Sequence, residues 1–235
     1  MSNWLKTIVL LIGSAFLTRW IPFSSFFRNL DTTIHEFGHA IVTLALSGRV
    51  MSIELYANHS GVTYSSVANN WSVIPISLAG YMTASLFAVF LFKMRARDNQ
   101  RLGLQIMTLI GIVALVLFVR NEFGIMWLVG FIALNIVMLA LVPRWLRDAY
   151  YLLLAFLTLE ESVMVPISLV IYALQNPASA GDATNLARVT FLPAIFWAGL
   201  FTVFSLLCAK SAIQAFLGRR KPRPAKPQQP YPNYE

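Results

Sequence analysis

The chain has 235 residues, 57% of them hydrophobic and 12% charged, with a formal net charge of +8. Soluble domains carry about a quarter charged residues, so this composition excludes an ordinary soluble enzyme and points to an integral membrane protein. The positive charge does not mark a nucleic-acid binder. Lys93, Arg95, Arg97 and Arg101 share one short segment and Arg219, Arg220, Lys221, Arg223 and Lys226 share the tail, the flanking positions that orient membrane spans.

Apolar runs of the roughly 17–25 residues needed to cross a bilayer are predicted at 4–22, 71–92, 102–119, 123–142, 150–174 and 187–209. The first has Lys6 near its start and no small-x-small site after it, so it reads as a retained span rather than a cleaved leader. A shorter run, 31–47, carries Asp31, His35, Glu36 and His39. His35 and His39, spaced i and i+4, fall on one helix face about one turn apart. With Glu36 between them they form the His-Glu-x-x-His pattern of zinc hydrolases. In that pattern two imidazoles hold one ion and the glutamate serves as general base toward a water. Thr33 and Glu36 also fit a capping box at a helix start, and two histidines hydrogen-bonded between spans are the plainer alternative. Ionisable groups at membrane depth are costly and mark sites, which favours the metal reading with Glu36 as the catalytic base. Gly38 and Ala40 allow a neighbouring helix to approach.

Residues 48–70 change character. "RVMSIELY" and "GVTYSS", separated by Ala57-Asn58-His59-Ser60, predict a β-hairpin over about 49–65. An edge strand offers unpaired main-chain groups to an extended peptide. "SIELY", centred on Ile53, and "GVTYS" are therefore candidate substrate-binding strands, with plugging of water access the plainer role. His59 reads as a turn residue. Asn121, in the break between two apolar runs, is either an interfacial loop residue or a donor to a substrate carbonyl. Glu160 and Glu161 are adjacent acids inside the run at 150–174.

The basic segments at 93–101 and 143–149 and the tail predict a multi-pass protein with a cytoplasmic C-terminus, and seven spans with the N-terminus outside satisfy all three. The single cysteine, Cys208, excludes a disulfide framework and a cysteine-based metal site. Residues 211–235 are basic and proline-rich and predict an extended, disordered tail. Residues 1–210 then form one transmembrane domain. The expected fold is an all-α polytopic membrane protein of six or seven transmembrane helices, with a small β-hairpin after the His-Glu-x-x-His helix.

Five stretches resemble one family: "HEFGHA" at 35–40, "SGRVMSIELYANHSGVTYS" at 47–65, "AGY" at 79–81, "RNEFG" at 120–124 and "GDATNLARVTFLPAIFW" at 181–197. They are similar to the site-2-protease-type membrane zinc metallopeptidases, and within them to the bacterial M50B-like branch. The resemblance implies an intramembrane endopeptidase of the bacterial cell membrane, acting on a membrane-protein substrate at the lipid bilayer. It also implies a third zinc ligand, an aspartate from a later helix, at Asp182. Gly181 stands where that family pattern has serine, and the chain lacks an NPDG-like motif.

Topology leaves a rival for that ligand. With seven spans, His35 and His39 lie near the cytoplasmic start of their helix and Asp182 lies in an outer loop. That separation is about 30 Å of hydrocarbon. Either 150–174 is a bent hairpin around Pro166, or the ligand is an acid level with the histidines, with Glu161 first in line. Asn185 and Thr190 are candidates to orient a ligand. Two other classes of function stand beside the hydrolase: a non-catalytic member binding a membrane protein, and an ion-coupled transporter. The transporter predicts an internal repeat with broken helices, which the sequence lacks.

Overall fold

The histidine-bearing stretch folds as one helix, α1, Ser24–Ala45, in a computed structural model that describes residues 5, 7–9, 11–13 and 24–218. The predicted first span at 4–22 lies largely outside the described residues, and so does the tail from 219. Helix α1 begins two turns before the predicted run at 31–47. Thr33 is consequently mid-helix, its hydroxyl donating to the Asn29 carbonyl at 2.7 Å, and no capping box forms with Glu36.

After α1 come β1, Arg49–Leu55, and β2, Gly61–Ser66. The remaining helices are α2, Val73–Ala96; α3, Gln100–Leu117; α4, Glu122–Ala140; α5, Arg144–Gln175; α6, Gly181–Val189; and α7, Ala194–Leu217. Helices α2, α3, α4, α5 and α7 are long and apolar enough to cross a membrane. With the two-stranded antiparallel sheet, the architecture is the expected all-α polytopic one. Helix α7 runs past the expected domain edge at 210. Helix α5 continues through Pro166, so the run at 150–174 is a single helix and not a bent hairpin.

The outward faces are apolar. Leu109, Val116, Met126, Val129, Ile136 and Val203 are each more than half exposed, a belt that water disfavours and lipid accepts. The inward faces close around Tyr151, Phe92, Phe131 and Leu104, all fully buried. The Tyr151 hydroxyl donates to the Leu91 carbonyl at 2.9 Å, which satisfies the one polar atom that this large ring brings inside.

Basic segments gather at one end. Arg144 pairs with Asp98 at 2.6 Å, joining the segments at 93–101 and 143–149. The Phe216 ring near the end of α7 meets Phe92 and Phe156 at centroid distances of 5.9 and 5.2 Å. The chain therefore leaves α7 at that same end.

The hairpin uses one of its edges internally. The Ile53 N–H donates to Phe118 O at 2.9 Å and Ile53 O accepts from Arg120 N–H at 3.2 Å. The Asn121 side chain clamps Leu55, accepting from its N–H at 3.1 Å and donating to its carbonyl at 2.6 Å. Ile53 is 1% exposed. The edge of β1 is thus covered along Ile53 and Leu55, and Ile53 and Asn121 fasten the hairpin to the α3–α4 turn. Ile53 pairs with Thr63 and Leu55 with Gly61. In an antiparallel pair, opposite residues share an orientation of their main-chain groups, so Thr63 and Gly61 turn theirs to the outer edge of β2. The free edge belongs to "GVTYS".

Candidate metal centre

Close helix packing builds the site. Helix α2 runs antiparallel to α1 and approaches it at two glycines. A Cβ on Gly38 would lie 2.7 Å from Thr83 Oγ1, and one on Gly80 would lie 2.4 Å from His35 Nε2 and 2.6 Å from His39 Nε2. No side chain fits at Gly80 while the histidines hold their positions. His39 Nδ1 lies 2.7 Å from the Ile76 carbonyl. A donor there leaves Nε2 with its lone pair facing the site.

Asp182 arrives from the other side on α6, just after α5 ends. A short turn aims it. The Thr184 hydroxyl donates to Pro177 O at 2.6 Å and accepts from Ala180 N–H at 3.0 Å. Gly181 takes φ +48°, a left-handed conformation that costs other residues about 1–2 kcal/mol. That conformation gives a physical reason for glycine where the family pattern has serine.

Three atoms converge: His35 Nε2 and His39 Nε2 are 3.0 Å apart, and Asp182 Oδ2 is 3.2 and 3.1 Å from them. Ligands at zinc–nitrogen and zinc–oxygen distances near 2.0–2.1 Å in a tetrahedron are about 3.3 Å from one another. The donor set of two imidazoles and one carboxylate therefore fits zinc in both spacing and chemistry, with a fourth position left over. No other His, Cys, Asp or Glu cluster among the described residues has ligand-like convergence.

The expected 30 Å conflict disappears for two reasons. The early start of α1 at Ser24 puts His35 about 16 Å along the helix, and α6 folds back from the end of α5 to meet it. Glu161 is not level with the histidines. It pairs with Arg28, as does Glu160, at 3.2 Å for the latter.

Glu36 is buried, at 5% exposure. The Thr63 hydroxyl donates to its Oε2 at 2.7 Å, and Gly61 lies so close that a Cβ there would meet Glu36 Oε1 at 2.9 Å. The tyrosine of the "AGY" block, Tyr81, sets its ring edge-on to His35 with centroids 4.4 Å apart. A cavity of about 380 Å³ opens beside these groups, lined by Glu36, Thr63, Ser65, Ser77, Asp182 and Asn185 among others. Thr190 is elsewhere employed, donating to Leu186 O and accepting from the Trp197 indole. His59 is a turn residue with φ +66°. Its carbonyl accepts from Thr32 at 2.7 Å, and burial with the nearby Arg28 charge lowers its pKa.

The sequence marks Gly38 as an approach point, but it gives Gly80 and Tyr81 only within the "AGY" block and Thr63 only within a candidate strand, with no role at the metal. The signal for Gly80 was available only as a small residue next to an aromatic one, which says nothing about what faces it. No curated protein and no solved structure matches the chain. The family model described as Peptidase M50B-like matches residues 7–212, nearly all of the helical body that carries this site. The chain belongs to that family of site-2-protease-type membrane metallopeptidases.

Proposed function

We propose that this protein is an intramembrane zinc endopeptidase that hydrolyses a peptide bond of a membrane-protein substrate. In this reading His35, His39 and Asp182 hold the ion and Glu36 is the general base. The observation that carries it is the convergence of the three ligand atoms with the Glu36 carboxylate beside them. When bound, zinc supplies Lewis acidity toward water and the scissile carbonyl.

The chain's own residues do the rest. Glu36 takes a proton from the attacking water and returns it to the departing amine. Thr63 fixes Oε2 of that carboxylate, which leaves Oε1 for the proton. Hydrogen bonding of His39 to the Ile76 carbonyl orients its ring. The outer edge of β2 at Gly61 and Thr63 supplies main-chain donors and acceptors for an extended peptide, so a substrate helix unwinds where it meets Glu36. Gly80 lies roughly 10 Å inside the start of α2, and the basic segments lie at the opposite end. With those segments cytoplasmic, the centre sits nearer the outer face of a bacterial cell membrane.

Mapping of new protein N-termini in membranes from cells producing the wild type or His35→Ala tests the reading. A set of ends present only with the wild type is expected; identical sets would leave a non-catalytic binding protein. The strand assignment has its own test in the inactive Glu36→Gln background. A photocrosslinking residue at Ser65 on β2 captures membrane protein, whereas one at Met51 on β1 does not. Equal capture at both, or capture only at Met51, would remove β2 from the substrate path.

A further inference from the structure

A second cavity, of about 520 Å³, lies on the other flank of the centre and shares His35, Glu36, Gly61 and Tyr81 with the first. Its walls are unusual for membrane depth. Besides the shared Glu36 they carry Arg28, Asp31, His59, Glu160, Glu161 and Tyr172, four carboxylates in all against one guanidinium. Arg28 is already committed to Glu160 and Glu161, and the lowered pKa of His59 makes it no counter-charge.

Asp31 stands apart. It is 7% exposed, and its Oδ1 has no hydrogen-bond partner among the described residues. A carboxylate oxygen shut away without a donor is expensive, and the cost is relieved when the group takes up a proton or when a donor or cation enters. Asp31 is one turn before His35 on the same face of α1, about 6 Å along the axis. Whatever answers Asp31 therefore lies within a few residues of the bond presented to Glu36.

We infer that this chamber is a specificity pocket for a lysine or arginine side chain of the substrate, with Asp31 as the residue that recognises it. The inference rests on the hydrolase reading above. A long basic side chain suits the space, because its stem lies along Tyr172 and Met164 and Val165 of α5 while its charged head reaches inward. An acidic side chain would leave Asp31 unanswered, and a neutral donor would supply a hydrogen bond without the opposite charge.

N-terminus mapping with the full chain reads this directly. Among the ends that depend on His35, lysine and arginine are enriched about tenfold at one fixed position, the effect of one charge-assisted hydrogen bond. That position falls within roughly three residues of the cut, about 10 Å of extended chain. Asp31→Asn flattens the preference while cleavage remains. Ser168→Lys, on the chamber wall, places an ammonium in the same space and flattens it with Asp31 intact. A wild type without basic preference, or a preference unchanged by both variants, overturns the pocket while leaving the hydrolase reading in place. Absence of any His35-dependent ends removes both.

Discussion

Glu36→Gln keeps about one zinc per chain and loses turnover by about 10²–10⁴-fold, the range over which a positioned general base contributes. Glutamine has the shape of glutamate, and its carboxamide oxygen still accepts from the Thr63 hydroxyl that now holds Oε2. The three converging ligand atoms belong to His35, His39 and Asp182, none of which the substitution touches. Removed are the negative charge and a site for the proton. Elemental analysis of the purified protein, together with the count of His35-dependent new N-termini, measures both halves. Loss of zinc in this variant would make Glu36 a ligand or a structural support. Retained turnover would move the base elsewhere.

Much of this was legible in the sequence because it is periodic. The spans at 71–92, 102–119, 123–142, 150–174 and 187–209 are apolar runs of sufficient length, and each corresponds to a helix. The hairpin announced itself by β-branched and aromatic residues around a polar turn. The histidine spacing needed only helix geometry. Features that depend on contact across the fold were not legible. "SSFFRNL" at the start of α1 has no apolar run, and Arg28 argues locally against helix within a membrane. Its partners, Glu160 and Glu161, lie more than 130 residues away. Without them the helix starts too late, the histidines sit too low, and Asp182 falls out of reach.

The surroundings of Ile53 were hidden for a related reason. A strand's sequence declares that it is a strand, not which of its edges another segment will cover, and here the α3–α4 turn covers it. Gly181 departs from the family pattern. Its meaning needed a φ angle, because a left-handed residue leaves no mark on sequence periodicity.

Asp182→Ala loses the zinc that Glu161→Ala retains. The two acids were rivals as long as depth was judged from apolar runs, and the structure gives them different surroundings. Asp182 Oδ2 lies 3.2 and 3.1 Å from the two histidine nitrogens. Removing it leaves two imidazoles four residues apart, too few to close a catalytic zinc site of three protein ligands, so metal content falls from about one per chain to near zero. Glu161 instead answers Arg28 between α1 and α5. Its loss leaves Arg28 with Glu160 alone, at 3.2 Å. A buried guanidinium that loses one of two carboxylates destabilises by about 1–3 kcal/mol, less than a fully broken buried pair. Thermal unfolding in detergent therefore reads the Arg28 contact, and metal analysis reads the third ligand. Glu161→Ala melts earlier with zinc bound, while Asp182→Ala purifies without it. The reverse pattern, zinc lost with Glu161 and kept without Asp182, would mean that α1 and α6 do not meet as described here. In that case the third ligand comes from α5.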